Sequence, residues 1–161
     1  MAGSIAIAMA EDSASATNAP SCVYAVGEVH RSNLIFSIEE IGQGARMVGD
    51  MNPLHHDEAY ARQSRFGGIA GSGAHVTAFM MGKMAEFMTE KAEGYGLDVA
   101  FRLRRPVYPD TPLRLTWTVD RTQFKAKLGG HLVWLVARLC DDVGTDLVEG
   151  TATCVSITAE S

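Results

Sequence analysis

The stretch from Ser72 to Glu90 constrains the fold of this chain more than any other. Val76, Phe79, Met80, Met84, Phe87 and Met88 are apolar, while Lys83, Glu86 and Glu90 form only a narrow polar stripe. A helix that is apolar over most of its circumference has to be wrapped by other structure. Ser72 is placed to cap its start, and Gly94 and Gly96 lie just past its end, near a stop. Beyond them the period changes to two. Val99, Phe101 and Leu103 alternate with Ala100, Arg102 and Arg104, and Leu113, Leu115, Trp117 and Val119 with Arg114, Thr116, Thr118 and Asp120. Leu132 to Leu139 is apolar on both faces, as a central strand should be. Leu147 to Ile157 is again β-like, with turns at Gly129-Gly130 and Asp141–Gly144.

Upstream, Val29 to Phe36 reads as a first strand. Ser37 and Glu40 match a capping box, and Ile38, Ile41, Ala45 and Val48 continue a helix that ends by Gly49. Asp57 to Arg62 reads as another short helix. One apolar helix plus one antiparallel sheet gives a two-layer α+β domain in which the sheet curls round the helix. The 161 residues, 47% of them hydrophobic, suit a single domain. Residues 21–161 are assigned to it and 1–20 to a flexible extension. A secretory signal is the alternative for that extension, although no Lys or Arg precedes Arg31.

The chemistry concentrates in Gly49-Asp50-Met51-Asn52-Pro53-Leu54-His55, ahead of the turn-rich run Phe66-Gly67-Gly68-Ile69-Ala70-Gly71-Ser72-Gly73. Pro53 fixes its own φ and pushes Asn52 out of the α region, so this loop is not expected to be helical at its centre. A rigid loop carrying one carboxylate and one imidazole can organise proton transfer. Asp50 alone would read as a helix-terminating carboxylate in an Asx turn, and His55 alone as structural; together they are the catalytic candidates. Partial burial is expected to raise the pKa of Asp50 towards a useful value. Asn52, Ser72, Gly73 and His75 are the candidate substrate-binding residues. Asn52 also reads as loop-shaping, Ser72 as a helix cap, and His75 as packing or support for the pair. His55, His56 and Asp57 do not make a compact ligand set, so no metal is expected.

The motif and the order of elements resemble the MaoC-like dehydratases, also called (R)-specific enoyl-CoA hydratases, which have the hot-dog fold. Phe101-Arg102-Leu103-Arg104-Arg105-Pro106-Val107-Tyr108-Pro109-Asp110 is similar to that family's strand into a proline-containing turn. The likeness runs from about Val29 to Ile157. It implies that Asp50 and His55 hold one water and add it across the double bond of a trans-2-enoyl thioester. Gly73, at a helix start, would offer a backbone N–H to the thioester oxygen. Coenzyme A is expected only as part of the substrate, with no resident cofactor, and the resemblance implies at least a homodimer with the site close to the subunit interface. Two positions depart from the family pattern: many members carry His-Gly at Ser72-Gly73, and a serine on the long helix of hydratases aligns with Met81.

Met80, Met84 and Met88 read first as core and second as lining for an acyl slot. Arg102, Arg104, Arg105, Lys125 and Lys127 are available for coenzyme A phosphates. A hot-dog thioesterase and a non-catalytic acyl-thioester-binding module are the alternative functions. The net charge of −5 invites neither nucleic acid nor an anionic membrane, and no apolar run approaches the ~18–20 residues that span a bilayer. Cys22, Cys140 and Cys154 are scattered and read as buried or incidental thiols of a cytoplasmic protein.

Overall fold

In the computed structural model, which describes residues 20–157, β1 (Val29–Leu34) leads through α1 (Ile38–Met47), a 3-10 turn (Pro53–His55) and α2 (Glu58–Gln63) into α3 (Gly73–Thr89). Four long strands follow: β2 (Glu93–Leu103), β3 (Leu113–Lys125), β4 (Gly130–Asp141) and β5 (Asp146–Ile157). All five strands form one antiparallel sheet in the order β1-β3-β4-β5-β2. The extension read over residues 1–20 lies, save for Pro20, outside the described residues.

The helix and the sheet share one core. Leu115, Trp117 and Val119 of β3, Val133, Leu135 and Leu139 of β4, and Val148 of β5 are buried in a cluster with Met80, Met84, Phe87 and Met88 of α3. Each such side chain stabilises the fold by roughly 1.5–3 kcal/mol. Trp117 also donates its indole N–H to the Met80 carbonyl at 3.0 Å, which ties the middle of the sheet to the middle of the helix. At the far end of α3, the Tyr24 hydroxyl donates to the Phe87 carbonyl at 3.1 Å and so satisfies one of the helix's terminal acceptors. The three methionines expected on this helix are core residues, and none of them lines the cavity beside the Asp50–His55 pair.

Three sequence expectations need correction. The strand after α3 begins at Glu93, so Gly94 and Gly96 lie within β2. A side chain at Gly94 would collide with the Met88 carbonyl, so glycine lets the strand pass directly over the helix end. β4 is the central strand, but its outer face is not covered: Val136 is exposed, and Trp134 is shielded by the Arg121 guanidinium 3.8 Å from its ring centre. Finally, α3 is wrapped only in part. Ala74, Ala78, Met81 and Ala85 face outward, because one sheet covers a helix on one side.

α1 packs on the start of α3 across a glycine. A side chain at Gly44 would land in the imidazole of His75, which also lies 5.3 Å from the ring of Phe36. The buried Nδ1 of His75 has no hydrogen-bond partner among the described residues. Burial holds the pKa of this imidazole below its ordinary value, against a smaller opposing effect of Glu40. Gly44→Ala would gain helix propensity on an open face, yet here it is expected to cost about 1–3 kcal/mol by overpacking, measured as a lower urea midpoint. The unfolded chain takes up the His75 proton near pH 6.5, while the folded chain resists it until lower pH, so stability falls as pH drops below about 6.5. Melting temperatures recorded between pH 7.5 and 5.5 should therefore decline less steeply for His75→Leu than for the parent.

Candidate active site

Asp50 is positioned by the way α1 stops. Gly49 takes φ +77°, a left-handed conformation that favours glycine. The Gly49 N–H donates to the Arg46 carbonyl at 3.0 Å and the Asp50 N–H to the Ala45 carbonyl at 2.8 Å. These two bonds form a Schellman motif, which fixes Asp50 as the second residue past the cap. Its carboxyl then shapes the next turn, because Oδ1 accepts from the Asn52 N–H at 3.2 Å.

Asn52 is extended, with φ −59° and ψ 124°, as the following proline requires. The expectation of a non-helical centre is corrected one residue later. Pro53 opens a single 3-10 turn, a first position that proline suits because no N–H is needed there. The Asn52 side chain caps that turn by accepting from the Leu54 N–H at 3.0 Å. This short turn delivers His55 to the interior with only 7% of its surface exposed.

His55 is held at both nitrogens. Nδ1 donates to the Ala70 carbonyl at 2.6 Å, and Nε2 stands 3.1 Å from Oδ2 of Asp50. Ser72, fully buried, donates its hydroxyl to the same Oδ2 at 2.7 Å and accepts from the His75 N–H at 3.4 Å as the cap of α3. The carboxyl of Asp50 is held below its ordinary pKa, chiefly by the Ser72 hydroxyl, with help from the Asn52 N–H and from His55. This is the reverse of the upward shift expected from partial burial. The Asp50 side chain keeps 29% of its surface in solvent, so desolvation is outweighed by hydrogen bonds to the charged form.

Beside the pair lies a cavity of about 330 Å³, lined by His55 and Gly73, by apolar Leu54, Val76, Leu103, Val107 and Val148, and by Arg65, Arg104 and Arg105. Gly73 and Ala74 are the first two residues of α3, and their N–H groups have no acceptor within the helix. The side chain of Leu103 packs so tightly on Gly73 that a methyl there would overlap it. Gly71 is closed from the other side, where its N–H donates to the Val107 carbonyl at 2.7 Å and seats the proline turn after β2. A larger groove of about 510 Å³ near Asn33, Pro112 and Asp142 contains neither His55 nor Asp50.

Of the residues singled out from sequence, the fold brings Asp50, His55, Ser72 and Gly73 to one place. Asn52 shapes the loop and does not line the cavity. Ser72 is buried against Asp50, and His75 lies against α1 at Gly44; neither lines the cavity, and of the Asp50–His55 pair only His55 does. Among the basic residues, Arg104 is engaged by Glu149 at 2.8 and 3.0 Å, and Arg102, Lys125 and Lys127 stand away from the cavity. Arg65 joins the site without a sequence signal that marks it, Leu103 joins it from the strand read before the proline turn, and Ala70 acts through its backbone alone. Among the described residues, no cluster of His, Cys, Asp and Glu is arranged to hold a metal ion, and no helix is long and apolar enough to cross a membrane.

Residues 36–130 match the family model described as MaoC like domain. No curated protein matches the chain. Among solved structures, it is similar to an (R)-hydratase from A. caviae involved in PHA biosynthesis, with 21% identity, a TM-score of 0.74, and coverage of 83% of this chain and 98% of that one. A MaoC-like dehydratase from Rhodospirillum rubrum gives 24% identity, a TM-score of 0.73, and coverage of 85% and 95%. The HadBC (3R-hydroxyacyl-ACP dehydratase) complex from Mycobacterium tuberculosis gives 18%, 0.68, and coverage of 81% and 96%. With the family model spanning more than half of its length and the antiparallel sheet laid on one long helix, the chain belongs to the MaoC-like dehydratase domain family and has the hot-dog fold.

Proposed function

We propose that this protein reversibly hydrates a trans-2-enoyl thioester, and dehydrates the corresponding 3-hydroxyacyl thioester, by acid–base catalysis at Asp50 and His55. The observation that carries this reading is the 3.1 Å approach of His55 Nε2 to Asp50 Oδ2 beside a cavity that also contains Gly73 at the start of α3. Membership of a dehydratase family supports hydratase or dehydratase chemistry in general.

The geometry suits the reaction in three respects. Water attacking the β-carbon must lose a proton, and the α-carbon must gain one; an imidazole serves both needs near neutrality. Negative charge builds on the thioester oxygen, and the N–H of Gly73 with the positive end of the α3 dipole would stabilise it. Leu54, Val76, Leu103 and Val148 offer an apolar wall for the acyl chain. Arg65 and Arg105 at the cavity suit the phosphates of coenzyme A, whereas Arg104 is already paired with Glu149.

The protein also suits a homodimer. β2 is an eleven-residue edge strand whose second side is unpaired among the described residues, and Tyr95, Leu97 and Leu103 on it are exposed next to the open side of α3. Long apolar edges are ready to pair with another chain.

Incubation with crotonyl-CoA should bleach the enoyl absorbance without releasing thiol. Release of thiol would instead indicate a thioesterase, and binding without turnover an acyl-thioester-binding module. Asp50→Asn and His55→Gln should each lower kcat by at least ~10²-fold with little change in melting temperature; parental rates in both would remove the pair from the mechanism. Light scattering after gel filtration should give at least twice the chain mass, and Met81→Glu combined with Leu97→Glu should shift it towards monomer.

A further inference from the structure

We propose that Ser72 is a positioning residue that decides how the pair divides its labour: its hydroxyl keeps Asp50 a carboxylate throughout, so that His55 Nε2 is the atom that carries the mobile proton. This rests on the hydratase reading above and goes beyond it, because an Asp–His pair by itself does not say which member changes charge.

The argument begins with the single hydrogen of the Ser72 hydroxyl. The oxygen already accepts from the His75 N–H, and its hydrogen points at Oδ2 of Asp50, 2.7 Å away. Ser72 is fully buried, so its hydrogen has no water to turn to. A proton on Oδ2 would compete with it for that oxygen and weaken the bond of a buried donor, which is costly. The other carboxylate oxygen faces the Asn52 N–H at 3.2 Å. From the 3-10 turn, His55 Nε2 faces Oδ2, while His56 donates from its Nε2 to the Asp50 carbonyl at 2.9 Å. From α1, only the Ala45 carbonyl bonds to the residue, at its backbone N–H. The donors at the carboxyl, the Ser72 hydroxyl and the Asn52 N–H, favour the anion.

His55 is constrained in the complementary sense. Its Nδ1 hydrogen is committed to the Ala70 carbonyl, so proton exchange is left to Nε2. In the hydration direction, a water beside the two groups presents one hydrogen to Nε2 and the other to the Asp50 carboxylate. As its oxygen bonds to the β-carbon, the O–H bond facing the imidazole breaks and Nε2–H forms. That Nε2–H bond then breaks as the proton passes to the α-carbon, and the sum is H and OH added across the double bond. Asp50 orients the water and the imidazolium and ends as it began.

Serine at this position therefore does two jobs through one atom: it caps α3 and it polarises Asp50. The two are separable by experiment. Glycine is tolerated at helix caps with little loss, so Ser72→Gly removes the hydroxyl while sparing the helix, alongside Ser72→Ala; Ser72→Thr restores the hydroxyl. Carbon-13 NMR of labelled aspartate should show the Asp50 carboxyl titrating higher by about one pH unit in the Gly and Ala variants, and at the parental position in Ser72→Thr. With crotonyl-CoA, kcat should fall more than KM changes in the same two variants and recover in Ser72→Thr. An Asp50 titration unchanged by loss of the hydroxyl would overturn the proposal. If the parent turned over no enoyl thioester, the hydratase reading would fail, and the NMR titration would still decide where the Asp50 proton sits.

Discussion

The burial of α3 against one face of the sheet is the contact on which everything else rests. Trp117, Leu115 and Val119 from β3 and Val133, Leu135 and Leu139 from β4 close over Met80, Met84, Phe87 and Met88. Several large side chains leave water together there, and the indole N–H of Trp117 sets the position of the helix along the sheet. Once α3 is immobile, its amino end is a fixed point. Ser72 and Gly73 sit at that point, and the loop from α1 is tied to it through the bond between Ser72 and Asp50.

This arrangement places a carboxylate and an imidazole on short, over-determined segments. Asp50 is held by a Schellman stop behind it, an Asx turn ahead of it and Ser72 above it. His55 is held between the Ala70 carbonyl and Asp50. Each anchor is a hydrogen bond of ordinary strength, but together they leave the carboxylate and the imidazole little rotational freedom. A preorganised pair of this kind avoids having to order itself when substrate arrives. The downward pull on the Asp50 pKa belongs to the same network, since donors converging on a carboxylate stabilise its charged form.

What covers the other side of α3 is a separate matter from what holds it. Ala74, Ala78, Met81 and Ala85 remain open, beside the long free edge of β2. The outer face of β4 is open too, although its residues are as apolar as those of a strand covered on both sides. Apolar content alone does not tell a covered face from an open one, because a sheet one layer deep always leaves one side without a neighbour from its own chain. The same limit applied to the basic residues: five were candidates for an anionic ligand, but only Arg104 and Arg105 of them reach the cavity, and Arg65 was not among them.

The readable features were those encoded within a few residues of one another. The capping box at Ser37 and Glu40, the stop at Gly49, the non-helical Asn52 before Pro53, the cap at Ser72 and the change from helical to twofold period all rest on local hydrogen bonding and backbone sterics, which act over one turn or one pleat. They were enough for the α+β class and for the expectation that Asp50 and His55 share one rigid loop. The bond from Ser72 to Asp50, the grip of the Ala70 carbonyl on His55, the collision of Gly44 with His75 and the packing of Leu103 on Gly73 join residues far apart in the chain. Those contacts exist only once the helix has been buried, because packing brings together groups whose spacing along the chain carries no record of the meeting. The direction of the Asp50 pKa shift was therefore a matter for the folded molecule, where hydrogen-bond donors outweighed the desolvation expected from partial burial.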